Sequence, residues 1–143
     1  MRGGKADRGL TLVTVLIVVG LAAGVLCAVG FGPAYIENLE VKRVLAEAAN
    51  LSVHDGNDEH VRQFVFQRLH RLFDQQVEDH GRTVTEMRID VDPDDLRIER
   101  TEVPKFVHIW LTYSRDVTVP VVNLERRMTF DDYAEQDLTP VVW

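Results

Sequence analysis

The chain has 143 residues and a net charge of −7, with 16 Lys and Arg against 23 Asp and Glu. The charge is unevenly placed, because residues 32–143 hold 13 basic and 22 acidic side chains, a balance of −9. Such an acidic domain excludes a broad nucleic-acid surface, which needs basic side chains against the phosphates, so we expect no nucleic-acid partner. The single cysteine, Cys27, excludes an internal disulfide.

Residues 1–9 form a short basic leader, and residues 10–31 follow it as an uncharged apolar run. A helix of this length spans about 33 Å, close to the roughly 30 Å hydrocarbon core of a bilayer. The apolar part of a secretion signal is shorter, usually about 7–15 residues. The run therefore predicts a transmembrane helix surrounded by membrane lipid.

Three roles are compatible with this run: a secretion leader cut before Phe31, a permanent anchor, or the stem of a polymer. Ala28 and Gly30 are small, as a leader peptidase requires, but the length of the run favours a helix that is kept. Positive charge before the run and excess negative charge after it place the N-terminus in the cytoplasm. We therefore expect a single-pass protein of the bacterial inner membrane with its C-terminal domain in the periplasm.

A stripe of small residues runs along the apolar segment, since Gly20, Gly24, Ala28 and Gly32 recur every four residues. Small side chains let a second helix approach closely in lipid, where no hydrophobic force drives association. Glycine is also common in membrane helices that have no such contact. The stripe is thus either a packing face for another helix or a consequence of the usual glycine content of membrane helices.

The start of the apolar run resembles the N-terminus of type IV prepilins, which carry a basic leader ending in glycine and then an apolar helix. Here Arg8 and Gly9 precede the string Leu-Thr-Leu-Val-Thr-Val-Leu-Ile-Val-Val. The resemblance implies cleavage between Gly9 and Leu10 by a prepilin peptidase, after which the helix remains as a stem. Thr14 stands fifth after that bond, where pilins usually carry glutamate, and Leu10 replaces the usual phenylalanine. The threonine at position 14 argues against a shaft-forming major pilin.

Segments further along the chain extend this resemblance. They are similar to a family of uncharacterised proteobacterial single-span membrane proteins that have a pilin-like start and a small outer domain. The matching residues are Pro33-Ala34-Tyr35-Ile36-Glu37, Val41-Lys42, Tyr113, Val119-Pro120 and Asn123. This second resemblance covers most of the chain. It implies an architecture but does not indicate a biochemical role.

Beyond the membrane, the sequence predicts an α+β fold in which the N-terminal helix continues over residues 32–50 as a stem. A domain of residues 51–143 follows, and the apolar spacing of residues 61–73 predicts a second, amphipathic helix that ends near Gly81. Residues 87–91 alternate as in a strand. A small antiparallel sheet of about three strands is expected at residues 96–100, 106–119 and 127–133.

Candidate catalytic and metal-binding residues are few. Ser52 and Ser114 are the only serines, and neither lies in a nucleophile elbow. His70 and Asp74 are one helical turn apart, but two ligands do not make a metal site. The acidic turn at residues 90–95 lacks the glycine and glutamate of an EF-hand, which leaves a looser calcium site open. We expect neither catalytic residues, nor a cofactor, nor a metal centre.

These observations predict a non-enzymatic, pilin-like membrane protein. The more specific expectation is a minor pilin or pseudopilin-like subunit of a type IV pilus or type II secretion assembly, with pilin or pseudopilin subunits contacting its transmembrane helix. The alternative is a stand-alone anchored protein whose periplasmic domain binds another envelope component and whose Gly9–Leu10 bond is never cut.

Overall fold

The computed structural model describes residues 6–119 and 123–139, with side chains from residue 11 onward. The fold is α+β, as the sequence predicts: two helices pack against a three-stranded antiparallel sheet, and a separate two-stranded hairpin lies beside them. We refer to everything after the first helix as the head. In chain order the elements are α1 (Ala6–Leu51), α2 (Asp58–Phe73), β1 (Asp74–Asp79), β2 (Arg82–Met87), a 3-10 turn (Pro93–Asp95), β3 (Leu96–Glu102), β4 (Lys105–Val119) and β5 (Leu124–Asp137).

The helix α1 runs without interruption through Pro33 and has two different halves. Over residues 11–29 almost every side chain is exposed, which matches the uniformly apolar sequence there. From Gly30 onward one face is buried in the head, at spacings of three and four residues. The buried apolar side chains of that face are Ala34, Val41, Val44, Leu45, Ala48 and Ala49.

The second helix, α2, begins at Asp58, close to the start of the apolar spacing that predicts it. Asn57 caps it, because the Asn57 side-chain oxygen accepts a hydrogen bond from the backbone N–H of Glu59 at 3.0 Å. Asp58 and Glu59 add negative charge at the N-terminal end, where the helix dipole favours it. Its buried face consists of Val61, Val65, Leu69 and Phe73. The predicted apolar stripe also includes Phe64, which is only partly buried, and Leu72, which is exposed.

The expected end of α2 near Gly81 is wrong, because the helix stops at Phe73 and the chain turns directly into the hairpin of β1 and β2. His80 (φ 49°) and Gly81 (φ 77°) form the two-residue turn of that hairpin. Positive φ at both central positions matches the twist of a tight hairpin, and glycine adopts it without steric cost. Ten of the twelve strand residues are exposed, and only Val77, Val84 and Met87 are apolar, so the strands carry no apolar alternation that predicts them.

The core lies between the outer half of α1, α2 and one face of the sheet, whose strand order is β3-β4-β5. Strand β4 is central, and its predicted alternation is confirmed, because Val107, Ile109, Leu111 and Tyr113 are buried. The strand pattern at residues 87–91 is confirmed only in part: Met87 closes β2, and Asp90 forms an isolated bridge to Ser114.

Candidate functional site

The exposed half of α1 is the first candidate. Residues 11–29 form about 28 Å of helix, close to the thickness of the hydrocarbon core, and expose their apolar side chains. Within the described residues, α1 is the one helix long and apolar enough to cross a membrane. Gly9 and Leu10 lie in its first turns, with helical backbone, and Thr14 follows one turn later. Residues 1–5 of the predicted leader lie outside the described residues.

The small-residue stripe has open space beside it. A Cβ atom built on Gly20, Gly24 or Gly32 would meet no atom within 4 Å, and Ala28 is exposed. The structure therefore leaves the stripe open for another helix, although Gly32, at its outer end, is partly buried.

A different glycine, which is not part of the small-residue stripe, contacts the head. Gly30 is buried, and a Cβ on it would lie 3.2 Å from Cγ2 of Val119, the last residue of β4. Gly24 and Gly30 are six residues apart, which places them about 120° apart around the helix axis. The close contact with the head thus falls on Gly30 and not on Gly24.

We expect Gly30→Leu to destabilise the head and Gly20→Leu to leave it unchanged. Overpacking against Val119 costs about 2 kcal/mol, and the better helix propensity of leucine offsets about 0.8 kcal/mol of that. Urea unfolding of the full chain in detergent micelles, followed by tryptophan fluorescence, measures the difference. Equal unfolding midpoints for the two variants would contradict the close contact at Gly30.

The second candidate is a group of polar side chains between α1 and the sheet, here called the junction cluster: Glu37, Asn38, Lys42, Arg88, Tyr113, Arg115 and Asp132. Glu37 makes ion pairs with two arginines, Arg115 of β4 and Arg88, whose Nη1 lies 3.3 Å from Glu37 Oε1. Both arginines come from segments at least 51 residues further along the chain. The pairs therefore attach the stem helix to two separate parts of the head.

Asn38 organises the other half of the junction cluster. Its side-chain Nδ2 donates to Asp132 Oδ2 at 2.7 Å and to the Tyr113 hydroxyl oxygen at 3.1 Å, which uses both of its amide hydrogens. Lys42 Nζ lies 3.8 Å from the other oxygen of Asp132. Every buried side-chain nitrogen or oxygen of the described residues has a hydrogen-bond partner, so the cluster is a complete network.

Burial changes the acidity of two members of the junction cluster. It raises the pKa of Asp132 above its ordinary value of 3.8, although the hydrogen bond from Asn38 and the charge of Lys42 act in the opposite direction. Burial also raises the pKa of Tyr113 to about 12, so this hydroxyl stays neutral at physiological pH. Fixed hydrogen bonds at these positions are suited to holding the helix in one register.

The remaining candidates do not form a site among residues 6–119 and 123–139. His70 Nδ1 is 3.0 Å from Asp74 Oδ1, and the other histidines are spread over the fold. In the acidic turn, Asp90 pairs with Arg127 and Asp92 caps the 3-10 turn. The described part of the chain contains no group of three or more His, Cys, Asp or Glu side chains placed to hold a metal ion.

Comparison with known proteins adds no relative: family models, curated proteins and solved structures all give no match to this chain.

Proposed function

We propose that the chain is a non-enzymatic, pilin-like subunit of the bacterial inner membrane, a minor pilin or pseudopilin-like component of a type IV pilus or type II secretion assembly. The observation that carries this proposal is the continuity of α1 (Ala6–Leu51). One helix has an exposed apolar half and a second half that belongs to the core of the head. A simple anchor needs only a flexible linker, whereas a subunit whose helices pack together must position its head rigidly.

The junction cluster supports the same proposal. Glu37 pairs with Arg115 of β4 and with Arg88 in the segment after β2, and Asn38 donates a buried hydrogen bond to Asp132 of β5. Buried polar networks of this kind specify one arrangement of packed elements. In a helical assembly every head must hold the same orientation to its stem, and this network meets that requirement.

The proposed cleavage of the leader and the proposed association with other subunits both involve α1. Prepilin peptidase is the proposed partner at the Gly9–Leu10 bond, on the cytoplasmic side of the membrane. Pilin or pseudopilin subunits are the proposed partners of the open stripe that contains Gly20 and Gly24, because small residues permit close helix packing in lipid.

Thr14 favours a minor or pseudopilin-like subunit over a major pilin, because threonine cannot supply a carboxylate at that position. The same residue favours the second candidate function, a stand-alone anchored protein whose periplasmic domain binds another envelope component. The two candidates differ in whether the leader is removed, and this can be measured.

Intact mass spectrometry of the protein from its native membrane tests the proposal. We expect a mature chain that begins at Leu10 with a methylated amine. Gly9→Val is expected to abolish this processing, because the peptidase requires a residue without a bulky side chain before the bond. Gly4→Val, another leader glycine, is the matched control and is expected to mature normally.

Each other result has a distinct meaning. A chain that keeps Met1 in the membrane contradicts the pilin-like subunit and supports the stand-alone anchored protein. A chain that begins near Phe31 and is recovered in the aqueous fraction contradicts both, because the exposed half of α1 would then be a discarded secretion leader.

A further inference from the structure

The β4–β5 end of the sheet lies at the level of α1 where the predicted membrane span ends. The exposed residues 11–29 account for about the thickness of the hydrocarbon core. The next residue, Gly30, is in contact with Val119 at the end of β4. Val119 pairs with Leu124, the first residue of β5. This end of the sheet therefore lies at the depth of the lipid headgroups.

Arg126 lies at this end of the sheet, opposite Val117 in the strand register. It lines a shallow depression of about 480 Å³ together with Phe31 and Tyr35 of α1. The neighbouring Arg127 pairs with Asp90, but Arg126 makes no ion pair with any carboxylate in residues 11–119 and 123–139. Its guanidinium charge is therefore available to an anion from outside the chain.

Apolar and aromatic side chains surround this arginine. Tyr35, which lines the depression, is 58% exposed, and Leu124, two residues before Arg126, is 55% exposed. Tyrosine at the end of a membrane span is typical of the interface between lipid and water. A guanidinium group matches the geometry of a phosphate and is weakly hydrated, which suits it to the headgroup region.

We propose that Arg126, with Phe31, Tyr35 and Leu124, forms a docking surface for anionic phospholipid headgroups on the outer face of the membrane. The depth of the site selects lipid over a soluble anion, and the positive charge selects an anionic headgroup over a zwitterionic one. The contact would hold the sheet against the bilayer beside its own stem. It depends on α1 crossing the membrane, but not on cleavage at Gly9 or on assembly with other subunits.

Amide hydrogen exchange of the full chain, reconstituted as one copy per nanodisc, tests this proposal. We compare discs of phosphatidylcholine with discs that also contain phosphatidylglycerol. One arginine near an anionic surface changes binding by about fivefold, so we expect exchange at the β4–β5 end to slow by about that factor with phosphatidylglycerol. Arg126→Gln is expected to remove the difference between the two lipids.

Arg97→Gln is the matched control, because Arg97 is exposed and lies over Trp110, nine residues before Val119 on β4. We expect this variant to keep the full lipid dependence. An equal loss in Arg97→Gln would overturn the proposal in favour of general electrostatic attraction. Protection that appears only with two copies per disc would also overturn it, because the surface would then contact a second chain.

The failure of this inference can be distinguished from failure of the membrane anchor. Slow exchange throughout residues 15–25 with no lipid dependence at the β4–β5 end would overturn the headgroup site and leave the anchor intact. Fast exchange in residues 15–25 would show that α1 does not cross the disc, and both proposals would fall.

Discussion

Glu37→Ala is expected to lower the free energy of unfolding of the head by about 3 kcal/mol, because breaking a buried ion pair leaves an uncompensated charge. The side chain of Arg115 is 17% exposed, so its charge loses its partner in a poorly solvated position. Arg88 is 40% exposed and recovers part of its hydration, which keeps the expected loss at the lower end of the range for buried pairs. Urea unfolding of the full chain in detergent micelles measures it.

Glu40→Ala provides the matched control on the same helix. Glu40 pairs with Arg43 at 3.3 Å, but the Arg43 side chain is exposed and that of Glu40 is partly exposed, and such surface pairs contribute less than about 1 kcal/mol. Equal losses in the two variants would contradict a special role of Glu37 in attaching the stem to the head. Glu37→Gln preserves the volume of the side chain and is expected to recover only part of the loss, since it removes the charge that the two arginines require.

The main helices and the central strand of the fold follow from patterns that are visible in the sequence. The uncharged run at residues 10–31 predicts the exposed half of α1, and the apolar spacing of residues 61–73 predicts the buried face of α2. The alternation that begins at Phe106 predicts the central strand β4. Each of these patterns is apolar and extends over many residues, and the burial of apolar surface is the main driving force of folding.

The hairpin of β1 and β2 could not be predicted in the same way, because its strands are solvated on both faces and have no apolar period. The turn does carry a pairing signal, since His80-Gly81 separates two polar segments of equal length. A glycine after a helix and a glycine in a tight hairpin require the same positive φ. The interpretation of Gly81 as the end of a helix chooses the first of these two and overlooks the pairing signal.

The junction cluster could not be predicted either. Glu37 occurs among the charged residues of the stem helix, and the sequence therefore assigns it to the solvated face. Its partners and those of Asn38 are up to 94 residues away in the sequence, and helical spacing cannot reveal them. Gly30 differs from Gly20 only in what lies beside it, so the contact between Gly30 and the head becomes visible only in the fold.

Asn38→Leu is expected to destabilise the head by about 2 kcal/mol at pH 7, with a cost that grows as the pH rises. The substitution removes the closest donor to Asp132 among the described residues, a buried carboxylate, and leaves Lys42 at 3.8 Å. The raised pKa of Asp132 means that the folded protein binds its proton more tightly than the unfolded chain does. The contribution of Asp132 to the free energy of unfolding therefore falls as the pH rises from about 4 through its pKa in the folded protein.

Removing the Asn38 amide raises the pKa of Asp132 further, because that hydrogen bond favours the ionised carboxylate. The cost of Asn38→Leu should therefore be smaller at acidic pH, where the protonated fraction of Asp132 is larger, than at neutral pH. Tyr113, with a pKa of about 12, stays neutral throughout and does not contribute to the change. Adding Asp132→Asn to Asn38→Leu removes the titrating group, so urea unfolding of the double variant should lose this pH dependence. A destabilisation by Asn38→Leu that is equal at pH 4 and pH 8 would show that packing, and not the charge of Asp132, determines its effect.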